Sequence, residues 1–126
     1  MSRILVIDDQ NDVRAMICMI LRVNRFEVTE AATAAAGLQL FDEQTFDAAV
    51  VDVFLDDANG FDVIAKMREA APCLPVVAIS GMTSLDAASI AQANLVYLQK
   101  PFRPSDLLHA IETAQASAAS AAGAAA

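Results

Sequence analysis

The sequence is short of basic side chains. It has 8 Lys and Arg residues against 16 Asp and Glu residues, for a formal net charge of −8. Nucleic acids and anionic lipid surfaces are both bound through basic patches. We therefore expect no direct nucleic-acid partner and no membrane association. An acidic surface leaves open the binding of a metal cation.

Cysteine and long apolar runs are also scarce. The two cysteines, Cys18 and Cys73, stand in unrelated contexts, which favours free thiols in a reducing compartment over a disulfide framework. The burial preference of cysteine predicts that both are buried or half-buried. No apolar run reaches the ~20 residues of a membrane span, and the first run stops at Asp8, too early for a signal peptide. These features favour a cytoplasmic protein.

Apolar residues, by contrast, are plentiful. They make up 56% of the 126 residues, enough for one domain with its own core. We expect this domain to cover residues 1–116. Residues 117–126 are nearly all Ala and Ser, with nothing bulky to bury. They are expected to form a frayed or disordered tail, although alanine also favours a continuation of the last helix.

Short apolar runs alternate with longer amphipathic patterns along the chain. Strands are predicted at residues 4–7, 26–31, within 46–55, at 76–80 and at 95–100, and helices at 11–23, 33–44, 59–70, 84–94 and 105–115. This alternation predicts an α/β domain with a parallel sheet covered by helices on both faces. Ligands of such sheets bind at the carboxyl ends of the strands, which share one edge.

Polar residues stand where several predicted strands end. The first strand runs into Asp8 and Asp9, the third contains Asp52, the fourth ends at Ser80 and the fifth at Lys100. Three carboxylates at one edge repel each other unless a cation lies between them. Mg²⁺ suits oxygen ligands of this kind. A metal, a lysine and a hydroxyl around one carboxylate favour phosphoryl transfer, with Asp52 as the nucleophile.

Five motifs in this order resemble the receiver domain of bacterial two-component response regulators, the CheY-like family. They are VIDD (6–9), VVDVFL (50–55), Gly60, AISG (78–81) and YLQKPF (97–102). The resemblance covers roughly residues 3 to 116. It implies a doubly wound (βα)5 fold with a five-stranded parallel sheet in the order 2-1-3-4-5.

The resemblance also implies a metal site and a phosphorylation site. Asp52 would accept the phosphoryl group. Asp9 would bind Mg²⁺, or Mn²⁺ in its place, with Asp8 acting nearby through a water. Asp52 and the backbone carbonyl of Phe54 would complete the protein's share of the metal ligands.

Three further residues match the family pattern. Lys100 would bond the phosphoryl group, and its peptide bond to Pro101 is usually cis in the family. Ser80 and Tyr97 stand at the hydroxyl and aromatic positions that respond to phosphorylation.

The sequence departs from the family pattern in the loop after Asp52. The family often has Pro where this chain has Asp56, which is followed by Asp57. This acidic loop is expected to be a solvated loop tip, more mobile than usual, and a second weak cation site is the alternative. Two positions that often tune dephosphorylation in the family carry apolar Phe54 and Met82. Because neither side chain can position a hydrolytic water, a long-lived phosphoaspartate is expected.

The first predicted helix is apolar nearly all round. Besides its core positions it carries Ala15, Cys18 and Met19. These residues could be buried by neighbouring elements, or they could form a docking patch for a helical partner.

The functional hypothesis is a single-domain response regulator. A histidine kinase or a histidine phosphotransfer protein would phosphorylate Asp52, and the modified chain would bind a downstream protein or relay the phosphoryl group. It would be a monomer or a weak, phosphorylation-dependent dimer. A pseudo-receiver that binds partners without phosphorylation is the alternative. A phosphohydrolase usually has a second Asp where this chain has Phe54, and a flavin-binding protein needs a phosphate loop after the first strand, which this chain lacks.

Overall fold

The computed structural model describes residues 2–81 and 95–125 of the chain. These residues form five strands and four helices. The strands are β1 (Arg3–Ile7), β2 (Glu27–Ala31), β3 (Ala48–Asp52), β4 (Val76–Ser80) and β5 (Val96–Gln99). The helices are α1 (Asn11–Val23), α2 (Ala34–Glu43), α3 (Gly60–Ala70) and α4 (Pro104–Ala125). The helix predicted at 84–94 lies outside the described residues, as does Met82.

The strands form one parallel sheet in the order β2-β1-β3-β4-β5. This is the predicted order, and the predicted fold class is confirmed. The central strands β3 and β4 are buried along their whole length, whereas the edge strands β2 and β5 are partly exposed. The sequences of the two pairs differ accordingly. The central strands are nearly continuous apolar runs, as expected for strands covered on both faces, and the edge strands include polar residues.

Successive residues of each strand feed two separate cores. In β1, Ile4 and Val6 belong to the core shared with α1 and α4, while Leu5 and Ile7 belong to the core shared with α2 and α3. This follows from the two-residue period of a strand, which points neighbouring side chains to opposite faces. The sheet is therefore sandwiched between two helical layers.

Helix boundaries lie close to those predicted. Thr33 caps α2 by accepting a hydrogen bond from the Ala36 N–H at 3.1 Å, as its sequence position indicates. Asn59 caps α3 in a similar way through the Phe61 N–H, at 2.8 Å. The last helix is longer than the predicted 105–115, because it runs through the alanine- and serine-rich segment to Ala125.

The two cysteines differ in their surroundings. Cys18 is buried in α1, as predicted, but Cys73 is exposed in the connection between α3 and β4, so the expectation of burial is wrong for Cys73. On α1, Met19 and Val23 are 61% and 76% exposed. Neighbouring elements therefore cover only part of the apolar surface of this helix. In the described part of the chain, no helix is both long and apolar enough to cross a membrane.

Candidate functional site

Asp8 and Asp9 follow β1 directly, at the carboxyl edge of the sheet. The Asp8 N–H still bonds the Ala31 carbonyl of β2, at 3.1 Å. Its side chain is fully buried, and Oδ1 accepts a hydrogen bond from the Gln10 N–H at 2.9 Å. Among the described residues Oδ2 receives no hydrogen bond, although Lys100 Nζ makes an ionic contact with it at 3.3 Å. Asp8 thus presents one buried carboxylate oxygen with an unfilled bonding capacity.

Asp52 is the last residue of β3, in the middle of the same edge. Asp52 is buried, yet its side chain lines the cleft at the edge of the sheet. Oδ1 accepts a hydrogen bond from the Phe54 N–H at 2.9 Å, and Oδ2 accepts one from Lys100 Nζ at 3.0 Å. Both oxygens are therefore held in a defined orientation.

Lys100 comes immediately after β5. Its backbone N–H donates to the Ser80 carbonyl at 2.8 Å, which joins the ends of β4 and β5, and the Lys100–Pro101 peptide bond is cis. The Nζ atom contacts Asp52, Asp8 and the side-chain oxygen of Gln10, the last at 2.9 Å. One ammonium group is thus shared by two carboxylates.

The three carboxylates are suitably placed for a divalent cation. Asp8, Asp9 and Asp52 each offer an oxygen, and these oxygens lie within 4.8 Å of one another. Burial raises the pKa of Asp8 and the nearby Asp52 charge raises it further, against the opposing effects of the Gln10 N–H and of Lys100. A single lysine therefore does not offset the cost of ionising this group. The underbonded Asp8 oxygen and the all-oxygen donor set fit Mg²⁺.

The acidic loop between β3 and α3 is tied down at two points. The Asp56 N–H donates to Asp9 Oδ2 at 3.1 Å. The Asp57 carboxylate accepts hydrogen bonds from the N–H groups of Ala34 and Ala35, at 3.0 and 3.2 Å. Because both Asp57 oxygens bond backbone N–H groups, the acidic pair does not present two free carboxylates to a second cation.

An open cleft of about 690 Å³ lies at the carboxyl edge of the sheet. Its lining consists of Asp9, Gln10, Asp52, Phe54, Asp56, Gly81 and Lys100. Ser80 is buried at the end of β4, one residue before the lining residue Gly81, and Phe54 is 50% exposed. Tyr97 is half-buried on β5 and does not line the cleft.

Two residues near Asp8 were not predicted. Gln10 bonds both Asp8 and Lys100, and the Arg14 guanidinium donates to the Asp8 carbonyl at 2.7 Å. Arg14 also forms an ion pair with Glu30 of β2 at 3.1 Å. Only their position in the sequence could have indicated these contacts. Residues at the start of a helix that follows a strand-end carboxylate lie over the carboxyl edge of the sheet.

An apolar groove of about 380 Å³ adjoins the cleft. It is lined by Val13 and Met16 of α1 together with Lys100, Pro101 and Phe102. Lys100 lines both the groove and the cleft. A molecule seated in the groove therefore lies beside Asp52 and its surrounding charges.

Known proteins are similar to this chain in both sequence and fold. The family model of the response regulator receiver domain matches residues 4–112. The alginate biosynthesis transcriptional regulatory protein AlgB of Pseudomonas aeruginosa is 36% identical over 108 residues, which cover 84% of this chain and 24% of that protein. The probable transcriptional regulatory protein TcrX of Mycobacterium tuberculosis is 31% identical over 79% of this chain and 43% of that protein. The chain thus spans less than half the length of these two relatives.

Among solved structures, a CheY-like receiver domain protein from Methanospirillum hungatei is 29% identical and superimposes with a TM-score of 0.87. The match covers 95% of this chain and 98% of that one. The matched segment contains Asp8, Asp9, Asp52 and Lys100. The chain belongs to the family of response regulator receiver domains of two-component systems.

Proposed function

We propose that Asp52 accepts a phosphoryl group from a phosphohistidine of a partner protein, a histidine kinase or a histidine phosphotransfer protein. Receiver domains are phosphoacceptor signalling domains that bind Mg²⁺ at an acidic pocket. The observation that carries the proposal is the position of Asp52. Its carboxylate faces the cleft, bonds Lys100, and has an oxygen within 4.8 Å of those of Asp8 and Asp9.

The transfer is a displacement at phosphorus. An oxygen of the Asp52 carboxylate attacks the phosphorus atom, the P–N bond to the donor imidazole breaks, and the bonding electrons stay on that nitrogen. The donor leaves as neutral imidazole, because its other ring nitrogen carries a proton. Lys100 Nζ, already 3.0 Å from Asp52 Oδ2, is placed to bond an oxygen of the transferred group. Asp8, Asp9, Asp52 and the Phe54 carbonyl would hold Mg²⁺, or Mn²⁺ in its place, and the bound cation would neutralise phosphoryl charge.

The apolar groove beside the cleft suits the donor protein. Val13, Met16 and Phe102 supply apolar contact area, and Lys100 connects this area to the phosphorylation site. A helical partner that buries an apolar face there brings its phosphohistidine to Asp52. Exposed Met19 and Val23 extend the apolar surface of α1.

Phosphorylation then changes the affinity of the chain for a downstream protein. It adds about −1.5 to −2 charges to a cleft that already holds three carboxylates. Ser80 and Lys100 close on the phosphoryl group, and Tyr97 moves inward, which alters the surface near β5 and α4. The output is protein contact, weak dimerisation or onward transfer of the phosphoryl group, without direct binding to nucleic acid.

The test is the intact mass of the protein after incubation with acetyl phosphate, with and without Mg²⁺. The wild type is expected to gain one phosphoryl group only with Mg²⁺, and Asp52→Asn is expected to gain none. Asp42→Asn, which removes an exposed carboxylate of α2 outside the cleft, is the matched control and should behave like the wild type. A wild type that gains nothing, from acetyl phosphate or from a phosphohistidine donor, would favour the pseudo-receiver alternative.

The lifetime of the modification follows from the residue beside it. Phe54 places an apolar side chain, 50% exposed, at the rim of the cleft, where a polar group could orient a water. We predict slow autodephosphorylation, measured as the loss of phosphorylated mass after the donor is removed. A half-life of seconds would contradict this prediction.

A further inference from the structure

The backbone of the acidic loop contacts a carboxylate of the proposed metal site. The Asp56 N–H donates to Asp9 Oδ2 at 3.1 Å. Proline at this position could not make the contact, because proline has no N–H. The position of the loop backbone therefore bears on the orientation of Asp9.

Asp57, the next residue, attaches the loop to the start of α2. Asp57 accepts hydrogen bonds from the N–H groups of Ala34 and Ala35, the first two residues of α2. These N–H groups have no partner within the helix, and a carboxylate is also favoured by the helix dipole at this end. The two N–H groups lower the pKa of Asp57, because they stabilise its ionised form.

The anchored segment carries the expected metal ligand. Near Asp52 the chain is held by backbone bonds of Val53, whose carbonyl accepts from the Gly60 N–H, and by the Phe54 N–H, which donates to Asp52 Oδ1. Farther along it is held at Asp56 and at Asp57. The Phe54 carbonyl lies between the bonds of Phe54 and Asp56. Release of Asp57 would leave the distal end of this short segment without its contact to α2.

We propose that Asp57 is a positioning residue that couples the start of α2 to the metal site. By holding the loop against α2, it keeps the Phe54 carbonyl and the Asp56 N–H in place around Asp9, and it thereby raises the affinity for Mg²⁺. The inference rests on the proposed metal site of Asp8, Asp9 and Asp52.

Thr33 offers a matched control on the same helix end. Its hydroxyl accepts from the Ala36 N–H at 3.1 Å, so Thr33→Ala also removes a cap from α2, but it leaves the loop attached. A merely structural role for Asp57 predicts that Asp57→Ala and Thr33→Ala behave alike. A positioning role predicts that only Asp57→Ala disturbs the metal site.

The experiment combines two measurements on the wild type and both variants. Mg²⁺ affinity is measured by titration with the metal alone, followed by NMR chemical shifts, and the exchange of the Asp56 amide hydrogen is measured without metal. For Asp57→Ala we expect Mg²⁺ affinity to fall about tenfold, the lower end of losses seen when groups supporting metal ligands are removed. Its Asp56 amide should exchange faster. Thr33→Ala should match the wild type in both measurements, and Asp57→Asn, which keeps one acceptor oxygen, should restore part of the affinity.

Equal Mg²⁺ affinity in the wild type and Asp57→Ala would overturn the inference, as would an equal loss in Thr33→Ala. Failure of the proposed function gives a different result, because the wild type itself would then bind no Mg²⁺. In that case the claim about affinity is overturned with it, and amide exchange still decides whether Asp57 anchors the loop.

Discussion

At the scale of single residues, Asp8 bears the main stability cost of the proposed metal site. A fully buried carboxylate with one underbonded oxygen is unfavourable, and burial raises its pKa in spite of the contact with Lys100. A carboxyl group whose pKa is raised on folding favours folding only while it is protonated. The protein therefore loses stability as the pH rises above 3.8, the ordinary pKa of the carboxyl group, and through the raised pKa of Asp8 in the folded state. At neutral pH the metal-free protein bears this cost.

We predict that Asp8→Asn stabilises the metal-free protein at neutral pH. The amide has no charge to desolvate, and it removes the repulsion by Asp52. Mg²⁺ should stabilise the wild type, because it binds the folded state, and should stabilise the variant much less. Urea unfolding with and without Mg²⁺ measures both effects. If the variant is less stable than the wild type without metal, the ion pair with Lys100 outweighs the cost of burial.

The two thiols allow a second prediction at this scale. Burial raises the pKa of Cys18 to about 11, so at pH 8 only about one molecule in a thousand carries the reactive thiolate. Cys73 is exposed. The folded protein should therefore take up one iodoacetamide group, at Cys73, and the unfolded protein two, as measured by intact mass. Cys73→Ser should take up none when folded, and rapid labelling of Cys18 would contradict the assigned burial.

At the scale of elements, the end of β3 and the start of α3 must approach closely. The Gly60 N–H bonds the Val53 carbonyl at 2.7 Å. A Cβ atom at Gly60 would overlap the Asp52 carbonyl oxygen and lie 2.6 Å from the Val53 Cα. These are backbone atoms of β3, the strand that carries the proposed phosphoacceptor Asp52. The position therefore requires glycine for space rather than for an unusual dihedral angle.

We predict that Gly60→Ala destabilises the protein by about 1–3 kcal/mol, since an added methyl group must displace backbone atoms. Gly81→Ala is the control, because a Cβ there meets no atom of the described residues within 4 Å. Its free energy of unfolding should stay close to that of the wild type. Denaturant unfolding of both variants tests the difference, and an unchanged stability of Gly60→Ala would mean that α3 can shift away from β3 at little cost.

Regular elements were predictable because their patterns are periodic. β4 was predicted at its observed bounds. Both of its faces are buried, so its sequence is a short, nearly continuous apolar run whose ends are easy to recognise. β2 and β5 are only partly buried. β2 begins one residue inside its predicted range, and β5 lies one residue inside its predicted range at both ends. The connection between β3 and α3 has no period, so neither the Asp56 N–H contact with Asp9 nor the attachment of Asp57 to α2 could be predicted from it.

At the scale of the whole molecule, the site is a product of topology. Asp8 and Asp9 follow β1, Asp52 ends β3 and Lys100 follows β5, and parallel strands bring these ends to one edge. That convergence was predicted, and the structure brings the four side chains together at this edge, with Asp8 buried beneath the cleft that the other three line. The shared contacts of Lys100 were not predictable, because they depend on rotamers and on Gln10.

The most direct test of the account asks which residue carries the phosphoryl group. After phosphorylation with Mg²⁺, borohydride reduction converts a phosphorylated aspartate to homoserine, which tandem mass spectrometry of the peptides then locates. We predict homoserine at Asp52 alone, and none when Mg²⁺ is omitted. Homoserine at another acidic residue of the cleft, such as Asp56, or a phosphoryl group retained on Ser80, would contradict the assignment of Asp52 as the phosphoacceptor.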